Sequence, residues 1–250
     1  MIKKQEKKLK FNKKKHIYTY EGKELISVTT FISKFFPEFN AKEVARKLNN
    51  MKYTKWYKMG IRKILALWKE QAEAGTKTHE EIELYLNDPN AYAKLDKLDK
   101  RASQGIAYLH QYMKKLNKPY TYSELKVFSK DIGLAGTIDL ALLHTLDNGE
   151  LVIDLIDWKT SEKDLDITRG FLEHPLFKDL GLPNSKLVRY SLQLNLYKLI
   201  IEGMYPFKVN RMQVVHLLEE EVKVFDVRDV GDIVVNMLNY KDEAKQNEKK

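Results

Sequence analysis

Apolar and polar positions alternate along Tyr120–Ser129, a stretch rich in β-formers, which predicts a strand. Leu134–Leu146 and Glu150–Trp158 read as two more strands, joined by the turn Asp147-Asn148-Gly149. Asn-Gly between apolar runs is a strong hairpin signal, so the three strands form a meander. Upstream the spacing is helical. Residues from Ala41 to about Tyr57 place Ala45, Leu48 and Met51 on one face. Longer helices run from about Ile61 to Leu86 and from about Leu95 to Leu116, each followed closely by a proline. Before them, His16–Glu24 reads as strand, Gly turn and strand, and Leu25–Thr30 offers a Ser or Thr cap for a short helix stopped by Pro37. After the meander come a helix over Leu187–Glu202 closed by Gly203, strands over Phe207–Leu218 and Val222–Val227, and a last helix over Val230–Lys245. The order predicts an α/β fold: a mixed β-sheet core flanked by helices, with an N-terminal helical insertion.

Composition narrows the class. The chain has 250 residues, 43% hydrophobic, enough for one sizeable core, and one domain over 16–250 is expected. Its helical part is about 40–118 and its core about 119–245. No stretch approaches the roughly 20 apolar residues of a membrane span. The N-terminus lacks the apolar run of a secretory signal, and an intracellular location is the expectation. Cysteine is absent, which removes disulfides, thiolate zinc sites and Fe–S clusters held by cysteine. The net charge of +9 points to a polyanionic partner. Residues 1–15 alone carry eight Lys and one Glu, leaving +2 for the rest. They read as a disordered basic tail.

The chemistry sits on two neighbouring strands of the meander. In Ile153-Asp-Leu-Ile-Asp-Trp-Lys159 alternation turns Asp157 and Lys159 to one face and Asp154 to the other. A carboxylate and an ammonium in an apolar strand are costly to bury without partners. Counting back from the turn places Asp139 roughly across from Asp157. Two carboxylates and a lysine so gathered suit metal-assisted phosphodiester hydrolysis. The carboxylates suit Mg²⁺, the lysine suits developing oxyanion charge, and the Trp158 backbone carbonyl is an extra candidate ligand. The plain alternative is a salt bridge at a strand end. No G-x-x-x-x-G-K-[ST] phosphate loop occurs.

Gly136-x-x-Asp139 followed by Asp157-Trp158-Lys159-Thr160 resembles the core of the PD-(D/E)XK nuclease superfamily, with Ile138 where a proline usually precedes the first Asp. Gln193-Leu-Asn-Leu-Tyr197 and Gly75-Thr-Lys-Thr-His79 resemble the Q-x-x-x-Y and G-x-x-x-H signatures of its RecB-like branch, which includes phage-type and mitochondrial genome-maintenance exonucleases. The likeness runs from about Gly75 to Tyr197. It implies a restriction-endonuclease-like fold and a Mg²⁺- or Mn²⁺-dependent deoxyribonuclease using one or two ions. The expected substrate is DNA, single-stranded or with free ends, and a replication or recombination protein is a candidate partner. It also implies roles: His79, Asp139 and Asp157 as metal ligands, Lys159 as the catalytic lysine, Glu124 for a water or second metal, and Gln193 and Tyr197 to orient the lysine or contact DNA. Tyr190 and Arg189 lie beside that pair. In the helical front, Trp56, Tyr57 and Trp68 read first as core. Their interleaving with Lys55, Lys58, Arg62 and Lys63 also suits single-strand binding.

Overall fold

A two-residue turn closes the hairpin that opens the sheet. Glu21 and Gly22 both take positive φ, 47° and 81°, the twist-compatible geometry of a tight hairpin. They join β2 (Ile17–Tyr20) to β3 (Lys23–Ser27). The computed structural model describes residues 9–12, 17–168, 170–178 and 180–247, with backbone alone for 241–247. Within the expected disordered tail, Leu9–Asn12 is instead a strand, β1, paired antiparallel with β2. Leu9 is buried against Tyr18, Leu25 and Phe128, so apolar contact outweighs the neighbouring charge there. Residues 1–8 and 13–15 of that tail lie outside the described residues.

The Ser27 hydroxyl accepts the Thr30 N–H at 3.0 Å and starts α1 (Val28–Ser33), as its cap position suggests. Then come α2 (Ala41–Asn50), α3 (Ile61–Asn87), α4 (Pro89–Tyr92) and α5 (Lys100–Met113). α2 ends at Asn50 rather than near Tyr57, because the next residues form a turn with Tyr53 and Lys58 at positive φ. α5 begins after Asp99, whose carboxylate accepts the Arg101 and Ala102 N–H groups, not at Leu95. The meander follows as β4 (Asn117–Ser129), β5 (Leu134–Thr145) and β6 (Leu151–Lys159). The chain closes with α6 (Pro175–Lys178), α7 (Lys186–Met204), β7 (Lys208–Leu217), β8 (Val222–Asp226) and α8 (Gly231–Asn247). α7 runs through Gly203, which therefore does not close it.

All eight strands join one mixed sheet. The order is β1-β2-β3-β5-β6-β7-β8, with β4 on the other edge of β5. The β3–β5 and β6–β7 pairs are parallel and the rest antiparallel. The N-terminal strands thus belong to the core sheet, and α2–α5 lie between them and the meander in the chain. β3 pairs with Leu134 and Ala135, while β6 pairs with Leu140–Thr145. Two strands therefore fork from one edge of β5, and Gly136–Asp139 lies between the pairings. On one face, Ile138, Ile153 and Leu155 pack with Leu194, Ile200 and Phe31 from α7 and α1. On the other, Leu140, Ile156 and Trp158 pack with Ile82 and Leu109 from α3 and α5. Each such fully buried side chain contributes roughly 1.5–3 kcal/mol, so β6 is clamped from both sides and its polar side chains have fixed directions. Among the described residues no helix is long and apolar enough to cross a membrane.

Candidate active site

Strand alternation on β6 holds. Asp154 lies on the α5 side, buried, where it accepts the Tyr112 hydroxyl at 2.8 Å and the Asn210 amide at 2.9 Å and meets His144 Nε2 at 3.0 Å. Asp157 and Lys159 face α7. The Asp157 carboxylate is 2% exposed and contacts the Lys159 ammonium directly. Gln193 on α7 donates to its other oxygen at 3.3 Å, and also to the Tyr197 hydroxyl at 3.3 Å. Lys159 Nζ donates to the Trp158 carbonyl at 3.1 Å and lies 4.5 Å over the Tyr190 ring. Burial pushes the Asp157 carboxyl up, to about 7, with the Asp139 charge acting the same way and Lys159 opposing. Burial alone would lower the Lys159 ammonium, but Asp157, Asp139 and Tyr190 together hold it above the usual lysine value.

Asp139 sits where β5 parts from β6. The ladder stops at Leu140↔Ile156, and in the same register Asp139 stands across from Asp157. Its carboxylate takes over the ladder's role by accepting the Trp158 N–H at 2.8 Å. Both β5 and its neighbour β4 change face at this level. Ile138 packs in the α7-side core, yet Leu140 and Leu142 pack on the α5 side. On β4, Tyr122 and then Leu125 and Val127 face α7, so alternation breaks there too. The residue at that break is Glu124, with φ +49°. This conformation is costly for a non-glycine residue, and such strain gathers at functional sites. The double break turns Glu124 and Asp139 toward α3.

α3 supplies the remaining group. Gly75, Thr78 and Ile82 lie on its buried, sheet-facing stripe, and His79 falls one turn beyond Gly75. His79 Nδ1 is 3.7 Å from Asp139 Oδ2. His79, Glu124 and Asp139 each offer a ligand atom within 4.8 Å of the others, all at partly exposed positions. A recess of about 290 Å³ opens over them, lined also by Glu80 and Glu83. Asp157 stands beside this set rather than within it.

No family model matches the chain, and no curated protein does. Among solved structures, a protein named SSO0001 is similar at 10% identity and a TM-score of 0.32, over 86% of this chain and 73% of that one. The geometry of the site itself therefore carries the functional reading.

Two glycines in the sequence motifs have steric reasons. A Cβ on Gly75 would stand 2.6 Å from Thr160 Oγ1, so glycine lets α3 lie against the end of β6. A Cβ on Gly136 would stand 2.5 Å from the Tyr197 ring, which is buried. That burial keeps Tyr197 from touching DNA. Gln193 holds Asp157 rather than the lysine, and Tyr190 is the residue against Lys159. The Trp158 carbonyl receives the lysine. Arg189 stacks its guanidinium 4.4 Å over Phe36. Lys55 pairs with Glu162 at 3.3 Å, Lys58 lies over Tyr57, and Arg62 is exposed on the first turn of α3. Of these three, Lys55 lines a cleft of about 970 Å³ that reaches Lys159 and Tyr190. No local pattern in the sequence announces this cleft, since it forms between segments far apart in the chain.

Proposed function

We propose that this chain is a divalent-metal-dependent deoxyribonuclease of the PD-(D/E)XK type, acting as an exonuclease on single-stranded or end-bearing DNA in replication, recombination or repair. One observation carries the reading: His79, Glu124 and Asp139 converge within 4.8 Å beside the Asp157–Lys159 pair, whose carboxylate is buried and whose ammonium is partly exposed. The donor set fits Mg²⁺ or Mn²⁺, which take carboxylate oxygens, and the imidazole tilts it toward Mn²⁺. Asp157, adjacent to Asp139, could complete it. Such an ion supplies charge neutralisation for the phosphate and activates water. Lys159, held protonated, supplies a fixed positive charge where charge develops on the phosphate in the transition state. Gln193 fixes the Asp157 carboxylate and Tyr190 fixes the ammonium, so neither needs to reorganise.

The test is digestion of linear and closed circular single-stranded DNA by the full chain with Mg²⁺ or Mn²⁺. Linear DNA should be degraded and circles spared. Asp139→Ala, Asp157→Ala and Lys159→Ala should each lower the rate by about 100-fold or more. Asp154→Ala should keep cleavage while costing about 1–3 kcal/mol of stability, because Tyr112 and Asn210 lose a buried acceptor. Equal cutting of circles would identify an endonuclease. No metal-dependent cleavage, with DNA binding unchanged in Asp157→Ala, would identify a non-catalytic DNA-binding partner instead.

A further inference from the structure

The large cleft is continuous with the catalytic groups but is built by other elements. Lys159, Thr160 and Tyr190 form its inner end, and α2, α3 and the turn between them form its outer walls. Three rings run along it. Phe39 is 6.0 Å from Trp68, and Trp68 is 6.2 Å from Trp56. Phe39 is 62% exposed, unusual for a ring whose neighbours pack into a small core of their own. The adjoining turn carries Tyr53, fully exposed and held at φ +63°. Six basic side chains line the cleft against three acidic ones. Lys55 is held across it by Glu162 at 3.3 Å with both groups largely exposed, a pairing that a phosphate can replace at little cost.

We infer that this cleft is a track for an unpaired DNA strand, whose bases stack on the Phe39–Trp68 rings while its phosphates run past Lys55, Lys163 and Lys186 toward Lys159. The inference rests on the nuclease reading for the direction of the strand but not for its binding. Rings accept every base because each has a π-face, and a basic groove follows the backbone without reading sequence. A duplex presents its base faces only at its end, so the rings have nothing to stack on along its length. The track therefore selects single strands, or duplex ends that fray.

Fluorescence anisotropy of labelled oligo(dT) and of a duplex of the same length, with the full chain in EDTA, separates binding from cleavage. The single strand should bind at least tenfold tighter than the duplex. Phe39→Ala removes an exposed ring and should leave the melting profile unchanged. It should weaken oligo(dT) binding roughly tenfold and duplex binding little. Trp68→Leu, checked for an unchanged melting profile, should do the same. Equal affinity for the two DNAs, or oligo(dT) binding indifferent to both substitutions, would overturn the track even if the enzyme cleaves. Ring-dependent single-strand binding by a chain that never cleaves would support the track while removing the nuclease reading.

Discussion

Lys159 makes three contacts: the Asp157 carboxylate, the Trp158 carbonyl at 3.1 Å and the Tyr190 ring at 4.5 Å. Removing one partner of a buried ion pair strands the other charge, which costs about 3–5 kcal/mol, whereas replacing both with neutral groups of similar shape is often neutral. Asp157→Asn and Lys159→Met should therefore each lower stability in urea by about 3 kcal/mol. The double variant should recover most of that loss and none of the cleavage. A double variant whose loss equals the sum of the two single losses would show that the pair is not coupled. The choice of Asp157 over Asp154 is legible in the sequence, because alternation along β6 is enough to make it. The helix partners are less legible. Gln193 and Tyr197 share a face with Tyr190, and spacing alone does not say which of them reaches the lysine. The length of the Lys159 side chain decides it, by carrying the ammonium to Tyr190.

The meander is readable because its turn is local and its strands strictly patterned; the register counted from Asp147-Asn148-Gly149 is the one observed. What escapes is the place where the pattern fails. The face change at Glu124 and Asp139 is a property of two paired strands together, and one strand's sequence shows it only as an acidic residue in an apolar run. The end of α2 escapes for a related reason, since Met51–Gly60 keeps helical-looking apolar spacing while its backbone turns. The strain at Glu124 yields a prediction at this scale. Asparagine tolerates positive φ better than glutamate, and a strained residue kept for function trades stability for activity. Glu124→Asn should leave the melting temperature unchanged or raise it, by up to about 1 kcal/mol of stability. Binding of Mn²⁺, followed by calorimetry or by metal-induced thermal stabilisation, should weaken in the same variant. A clear drop in melting temperature with unaltered Mn²⁺ binding would make Glu124 a structural residue and nothing more.

Both ends of the chain contribute to the sheet: β1–β3 join the fork on β5, while β7 and β8 extend the opposite side. This arrangement is not legible in the sequence, because the β3–β5 pairing spans the whole helical front and no local pattern announces so distant a partner. It also changes how the charge is read. The basic segment does not hang wholly free, since β1 pins Leu9–Asn12 to the sheet. Residues 1–8 precede that anchor and hold four Lys and one Glu. Each lysine that neutralises a single-strand phosphate adds about 0.7 to the slope of log affinity against log salt. A chain starting at Leu9 keeps β1, so its melting temperature should match that of the full chain. Its salt slope for oligo(dT) should fall by up to about 3, while its preference for single strand over duplex persists, because that preference comes from rings in the cleft. A truncated chain with an undiminished slope would assign the phosphate contacts to Lys55, Lys163 and Lys186 instead. The basic end would then serve the chain's solubility rather than its grip on DNA.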